Sequence, residues 1–377
     1  MTDGSVDQRA IAVMRREIAT IPQVIADTVR DVRPAMTDLA ARYGPDLADL
    51  VVTGCGDSHF AGLATRLAFE RDAGVRCHAT GALEFVRYDI RYVPLTPSPL
   101  LIAVSYSGEV GRTIEAAAAA RDAGWRSVAL TGKPEGRLAQ SADEAILMRV
   151  PTLGFSPGTS TYVAMVTALL VLAAELARVR GHGENAARLD DGLARAPELA
   201  AQTIAAAEAP AHEAAELLAS APITTFLGAG PSRASAAFGA AKLFEGPQRY
   251  GVVQDLEEWA HEQYFVSGPG TPIVIVAPPG AARDRADELL DEMAFIGAPV
   301  VVVGEEGRAA AGGKTIALPI AAGLDEAMSP LLTCLPLALA AFFLSERLGT
   351  RSYGFPSAEH EREHYETIHR ATRGQPA

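Results

Sequence analysis

The chain has 377 residues, 49% of them hydrophobic, with a formal net charge of −13 and a pI near 5.1. That length fits two domains or one large α/β unit with an ample core, and the acidic balance excludes non-specific binding to nucleic acid or anionic membranes, so an anion site must be local. Cys55, Cys77 and Cys334 lack metal-ligand spacing and fit free thiols, the opening MTDGSVDQRA is polar, and the apolar run 164–177 is too short to span a membrane; a cytoplasmic protein is expected.

In chain order, Ile11, Met14 and Ile18, then Val24, Ile25 and Val29, predict a helix, a break near Pro22 and a second helix, an N-terminal arm over 1–45. LADLVVTGCGDSHFAGLATRLAFE (47–70) predicts a strand, a tight turn at Gly54 and Gly56, and a helix capped by Asp57 or Ser58. Strand candidates follow at 77–85, 100–104, 125–132 and 145–151, with an Ala-rich helix over 113–123. Alternating β and α predicts a doubly wound parallel sheet.

The stretch LLIAVSYSGEVGRT (100–113) is the chemically loaded one. A buried strand there delivers hydroxyls and glycines to a helix N-terminus, whose unpaired N–H groups and positive dipole end suit a phosphate. Ser105, Ser107 and Thr113 offer donors, while Gly108 and Gly111 allow close backbone approach. Taken alone, a strand and a Ser/Gly turn explain it equally.

The pattern then repeats. Gly228, Gly230 and Ser232 in ITTFLGAGPSRASAAFGAAKLFE lie 174 residues after Gly54, Gly56 and Ser58, and TPIVIVAPPG and PVVVVGEE follow earlier strands at an offset of 172. A duplicated domain is the economical account, with an Ala/Glu-rich helical connector between the copies. The second copy has APPGAARDR where the first has SYSGEVGRT, so one anion site is expected, in the first half.

From MRREIATIP to about Arg347 the chain resembles the sugar isomerase (SIS) domain family. The resemblance is to the tandem type found in the isomerase half of glucosamine-6-phosphate synthase and in fructosamine-6-phosphate deglycases. It implies two doubly wound, flavodoxin-like α/β domains related by duplication, over 46–195 and 196–345, and a tail over 346–377. It also implies that Gly56, Asp57, Ser58, Ser105, Tyr106, Ser107 and Gly108 hold a sugar phosphate. The chain departs from the family at Asp57 (often Thr), Tyr106 (often Gln) and Val110 (often Thr); the last departure removes one usual phosphate donor, for which Arg112 is a candidate replacement and not a necessary one.

By the same resemblance, Ser160 and Thr161 in PGTSTY contact the sugar, and Lys242 and Glu245 in AAKLFE share one helix face. Glu245 matches the carboxylate that shuttles a proton between the first two sugar carbons. His261 matches a ring-opening histidine given to a neighbouring subunit, which implies a homodimer or higher homo-oligomer with shared sites. A partly dry carboxylate and an imidazole suit those proton transfers.

No cofactor, metal, nucleic acid or membrane is implied. HEREH (360–364) fits H-E-x-x-H formally but lacks a third ligand and an apolar face, and His59 and Arg233 spoil the two G-x-G-x-x-G candidates. Glucosamine-6-phosphate synthase also has a glutaminase domain and a C-terminal Schiff-base lysine. Neither is found in this sequence, whose lysines are Lys133, Lys242 and Lys314, so amide-nitrogen transfer is not expected. The expectation is an enzyme acting at C1/C2 of an open-chain hexose or amino-sugar phosphate bound between the halves and a neighbouring subunit. It would be a deglycase or deaminase slightly ahead of an aldose–ketose isomerase; a non-catalytic sugar-phosphate sensor is the alternative.

Overall fold

In the computed structural model, residues 7–96, 98–151, 153–305, 314–364 and 366 are described. They form two compact units. One comprises Val24–Pro151, Thr161–Leu193 and Phe355–Ala377, the other Met1–Gln23, Thr152–Ser160 and Ala194–Gly354.

The first unit holds a parallel sheet of β1 (Asp49–Gly54), β2 (Arg76–Gly81), β3 (Leu100–Ser105), β4 (Arg126–Thr131) and β5 (Glu144–Leu147), in the order β2-β1-β3-β4-β5. Every residue of β1 and β3 is buried, as strands covered on both faces require. Val51, Leu101, Ala103 and Ala129 pack with Phe85 and with Ala116, Ala117 and Ala120 of the Ala-rich helix, Gly111–Asp122.

The second unit repeats the plan with β6 (Ile223–Leu227), β7 (Tyr250–Gln254), β8 (Ile273–Val276), β9 (Val300–Gly304) and β10 (Thr315–Pro319), in the order β10-β9-β8-β6-β7. Both sheets are therefore doubly wound with one topology, as the duplication predicts. Helix Pro231–Glu245 packs against helix Pro330–Leu348 over one face, where Gly239 lets Phe226 and Leu337 approach. Alternation sends Leu227 to the other face, where Ile273 and Ile275 meet Trp259 and Leu289, Leu290 and Met293 of helix Arg283–Phe295.

Three expectations need correction, and two strands were not foreseen. Helix Asp7–Tyr43 runs through Pro22 without a break. An interior proline costs about 3 kcal/mol, but Ile18, Ile21, Val24 and Ile25 are all buried on that face, each worth roughly 1.5–3 kcal/mol. Next, the helix Asp57–Leu67 is capped by neither Asp57 nor Ser58: Gly56 is the N-cap, with φ 54°, and Asp57 is already helical. Third, the run 164–177 lies in the 20-residue helix Ser160–Val179. That helix and Pro330–Leu348 are long and apolar enough to cross a membrane, and 89% and 78% of their apolar windows are buried inside the fold, which accounts for the composition. Finally, β7 and β10 are edge strands whose half-exposed residues (Tyr250 70% exposed) give no apolar run to read.

Candidate functional site

In a sheet ordered 2-1-3-4-5 the chain leaves β1 and β3 toward opposite faces, which opens a crevice outside their carboxyl ends. The loops there are 54–58 and 105–111, so the topology brings the two predicted anion segments of the first unit to one place. A Cβ at Gly54 would stand 2.6 Å from Ser58 Cβ and 2.9 Å from the Val104 carbonyl, so only glycine lets the strand end lie against the new helix. Gly56 and Gly108 have φ 54° and 67°. The Gly108 N–H closes the second turn on the Ser105 carbonyl at 3.0 Å.

Ser105 is buried at the tip of β3 with Oγ 3.4 Å from Ser107 Oγ, and Ser107 Oγ accepts the Glu109 N–H. Ser58, also buried, donates to Met165 Sδ at 3.3 Å, a weak acceptor readily exchanged for an anionic oxygen. Asp57 sits in the first turn of its helix, where the dipole favours its charge. Val110 is the N-cap of Gly111–Asp122 and leaves that end without a side-chain cap.

Two of the predicted anion ligands are otherwise engaged. The Tyr106 hydroxyl donates to the Val150 carbonyl at 3.0 Å and accepts the Val150 N–H, so it ties strand ends together. Arg112 pairs with Glu115, which also binds Arg87 at 3.0 Å. Glu109 is held by Arg137 at 2.6 Å, which keeps its carboxyl below the usual range. A cation that sequence reasoning missed is Lys133: its charge reaches Glu109, and its Cβ lies 3.3 Å from where a side chain at Gly108 would begin.

The equivalent crevice in the second unit keeps a small cavity lined by Ala229, Ser232, Gly280, Arg283 and Glu326. Glu326 Oε2 accepts the Ala281 N–H at 3.1 Å, and its carboxylate packs on Gly280, where a Cβ would stand 2.4 Å from Cδ. Arg283 is directed to the Ala277 carbonyl and to Asp287.

The second unit also carries Lys242 and Glu245 near the end of Pro231–Glu245. Lys242 is wholly buried, its Nζ 2.6 Å from Glu245 Oε2 and 4.9 Å from the Phe238 ring centroid; the Glu245 side chain is 24% exposed. The Glu245 carbonyl accepts the N–H of Tyr353, which takes φ 51° to reach it, and the Tyr353 ring lies 5.0 Å from Phe155. Glu17 is a further acid that sequence reasoning missed. It is buried on the apolar stripe of Asp7–Tyr43 and accepts from Ser156 Oγ at 2.6 Å. A lone acid between Met14, Ile18 and Ile21 was the available signal. Ser160 Oγ is buried without a hydrogen-bond partner and Thr161 is half-buried, both at the start of Ser160–Val179.

His261 ends the short helix Leu256–His261, is 71% exposed, and lies with Nε2 3.2 Å from Glu257 Oε1. Arg285, in the first turn of Arg283–Phe295, holds Glu257 at 2.7 Å. Glu245 and His261 are not brought together. The 15-residue helix to Glu245 starts where β6 ends and covers about 22 Å back toward the beginning of the sheet. His261 belongs to the opposite face, beside the end at which β8 delivers Arg283–Phe295.

The zinc-like HEREH segment lies on helix Ala358–Glu363, with the His364 ring 5.0 Å from Phe355. Among the described residues no group of three His, Cys, Asp or Glu side chains is placed to hold a metal ion.

Residues 48–175 match the sequence profile of the SIS domain. The chain is 28% identical over 351 residues to the isomerizing glutamine–fructose-6-phosphate aminotransferase of Pseudomonas syringae pv. tomato, covering 89% of this chain and 56% of that one. It thus spans little more than half the length of the curated relatives it matches. The fold is shared with the C-terminal domain of glucosamine-fructose-6-phosphate aminotransferase from Francisella tularensis, at TM-score 0.80 and 20% identity, covering 90% of this chain and 97% of that one. It is shared also with glucosamine-6-phosphate deaminase from Thermotoga maritima, at TM-score 0.63 and 19% identity, covering 87% and 95%.

Proposed function

Residues 48–175 belong to the SIS domain family, and from that premise we propose that the chain is a phosphosugar enzyme working at C1 and C2 of an open-chain hexose or amino-sugar phosphate. The observation that carries this reading is the Lys242–Glu245 pair: a buried ammonium fixing a carboxylate that keeps one edge open to solvent. Such a carboxylate has a set direction and can exchange a proton with a neighbouring carbon.

Ser58, Ser105, Ser107 and the backbone N–H groups about Gly108 take the phosphate, with Lys133 at hand in place of the engaged Arg112. Ser160 and Thr161 orient sugar hydroxyls. Glu245 carries the proton between C1 and C2 through an enediol or enolamine. His261 protonates the ring oxygen on opening, and because it stands at the opposite end of its own sheet from Glu245, it does so for a second copy of the chain. Within this class a ketosamine or amino-sugar phosphate deglycase or deaminase is favoured, with Asp57 beside the anion turn to receive an ammonium group.

A thermal-shift screen against hexose, hexosamine and fructosamine 6-phosphates and their unphosphorylated forms tests it, with each stabilising compound followed by NMR. Stabilisation by the phosphorylated set alone, with C2 proton exchange or amine release, is expected. Equal response to both sets removes the anion assignment, and binding without turnover makes the protein a sensor.

A further inference from the structure

The first strand-to-helix turns of the two sheets are built alike. Gly56 takes φ 54° and ψ −128° at the start of helix Asp57–Leu67, and Gly230 takes φ 53° and ψ −131° at the start of helix Pro231–Glu245. The Ser58 N–H closes one turn on the Cys55 carbonyl at 3.2 Å, and the Ser232 N–H closes the other on the Ala229 carbonyl at 3.1 Å. Their hydroxyls differ. Ser58 Oγ has Met165, whereas Ser232, 6% exposed and on the wall of the second crevice, makes no side-chain hydrogen bond among the described residues. The same cavity is bordered by the start of helix Arg283–Phe295, which has no side-chain cap. Arg283 gives Nη1 to the Ala277 carbonyl at 3.0 Å and Nε to Asp287 at 3.1 Å, which leaves Nη2 over for a further acceptor.

Converging N–H and O–H donors at uncapped helix starts make an oxyanion receptor. What stands in this one is a carboxylate. Glu326 Oε2 accepts the Ala281 N–H at 3.1 Å, and a Cβ on Gly280 would stand 2.5 Å from Oε1, so the bare glycine makes room for the acid. The turn that presents it, Glu326–Met328, is fastened: Asp325 Oδ1 accepts the Ala327 N–H at 2.9 Å, and Ala327 and Met328 are wholly buried. The space left beside the carboxylate, about 10 Å³, takes one water.

We propose that the second crevice is a complete phosphate receptor with Glu326 as its internal ligand, so that withdrawing this one side chain uncovers a second site for a phosphate group on each chain. Ser232 Oγ, the Ala281 N–H and Arg283 Nη2 are the donors released to it. The carboxylate and the water-sized space together match a phosphate group in bulk. The inference leans on the reading of the first crevice as a phosphate site and on no step of turnover.

Five alanines follow a glycine in this chain: Ala82, Ala229, Ala240, Ala281 and Ala298. Protein made with ¹³C-carbonyl glycine and ¹⁵N alanine reports those amides alone, and Ala229→Gly and Ala281→Gly assign the two from the crevice. In the unaltered protein inorganic phosphate should leave both unmoved. In Glu326→Ala both should shift with inorganic phosphate and with glucose 6-phosphate but not with glucose, and calorimetry should count one phosphate per chain more than in the unaltered protein. Adding Ser232→Ala should weaken the new site about five- to tenfold.

Signals that stay still in Glu326→Ala up to about 0.1 M phosphate overturn the proposal. Equal shifts with glucose do so too, as do equal shifts in the unaltered protein, where Glu326 would then close nothing. Glu326→Ser, which also withdraws the carboxylate from a half-buried position, puts the same question if Glu326→Ala does not fold. Should the first crevice take no phosphate, the count is none in the unaltered protein and one in Glu326→Ala, which separates failure of that reading from failure of this one.

Discussion

Removing either member of the Lys242–Glu245 pair leaves a different group behind, and that group decides the cost. Glu245→Gln takes the carboxylate away from an ammonium that is 0% exposed, whereas Lys242→Met leaves a carboxylate that is 24% exposed and can turn to water. Breaking a buried pair by deleting one partner costs about 3–5 kcal/mol when the survivor stays buried and uncompensated. For Glu245→Gln the amide oxygen still accepts a hydrogen bond from the ammonium, which reduces this to about 2 kcal/mol. For Lys242→Met the thioether replaces the stem beneath Phe238 at similar volume, and the loss should stay under about 1 kcal/mol. Chemical denaturation of the two variants at neutral pH gives both numbers. Turnover should follow the opposite order: at least about a hundredfold loss in Glu245→Gln, where the proton carrier is gone, and about tenfold in Lys242→Met, where it has lost only its direction. A Lys242→Met protein less stable than Glu245→Gln would refute the reasoning, since it would mean that Glu245 is the more dependent partner.

Ser105→Ala and Ser107→Ala should each weaken binding of a sugar 6-phosphate about five- to tenfold, a hydrogen bond to a charged group being worth about 1.5–3 kcal/mol before relaxation, without altering the response to the unphosphorylated sugar; calorimetry against both ligands checks this. Glu245→Gln and His261→Ala proteins, each inactive, should regain about a quarter of normal activity when mixed and allowed to exchange subunits, because half the dimers are mixed and each has one intact site. No recovery on mixing would show that one chain supplies both residues. Because burial raises the Glu17 pKa, the folded state holds that proton more firmly than the unfolded one, so Glu17 favours folding at acid pH and this contribution is lost as pH rises through its folded pKa. Glu17→Gln should therefore gain in Tm relative to the unaltered protein on going from acid to neutral pH.

The centre of each sheet was legible because the residues are forced there. β1, β3, β8 and β9 are buried on both faces and so read as unbroken apolar runs, and the glycines at 54, 56 and 108 mark places where a Cβ or a negative φ would not fit. The edges were not, since β7 and β10 carry half-exposed residues with no period to count. Pro22 misled for a related reason: local propensity argues for a break, and the buried face of Ile18, Ile21, Val24 and Ile25 overrides it. Among the candidate site residues, Ser105 and Ser107 stand where the motif puts them. Tyr106 and Arg112 have the right types for an anion, and the structure directs the Tyr106 hydroxyl to Val150 and one Arg112 nitrogen to Glu115, which spacing along the chain does not reveal. Glu17 could have been noticed as a charge on an apolar stripe, although its partner Ser156 comes from far along the sequence.

Glu326 gives the duplicated crevice an unusual kind of permanence. A side chain tethered to the same chain competes with any dissolved anion at an effective concentration in the millimolar range or above, and it brings its own negative charge to the Ala281 N–H. Free phosphate or a sugar phosphate would have to displace a rival that never diffuses away. One ligand per chain is then the stoichiometry a titration should find.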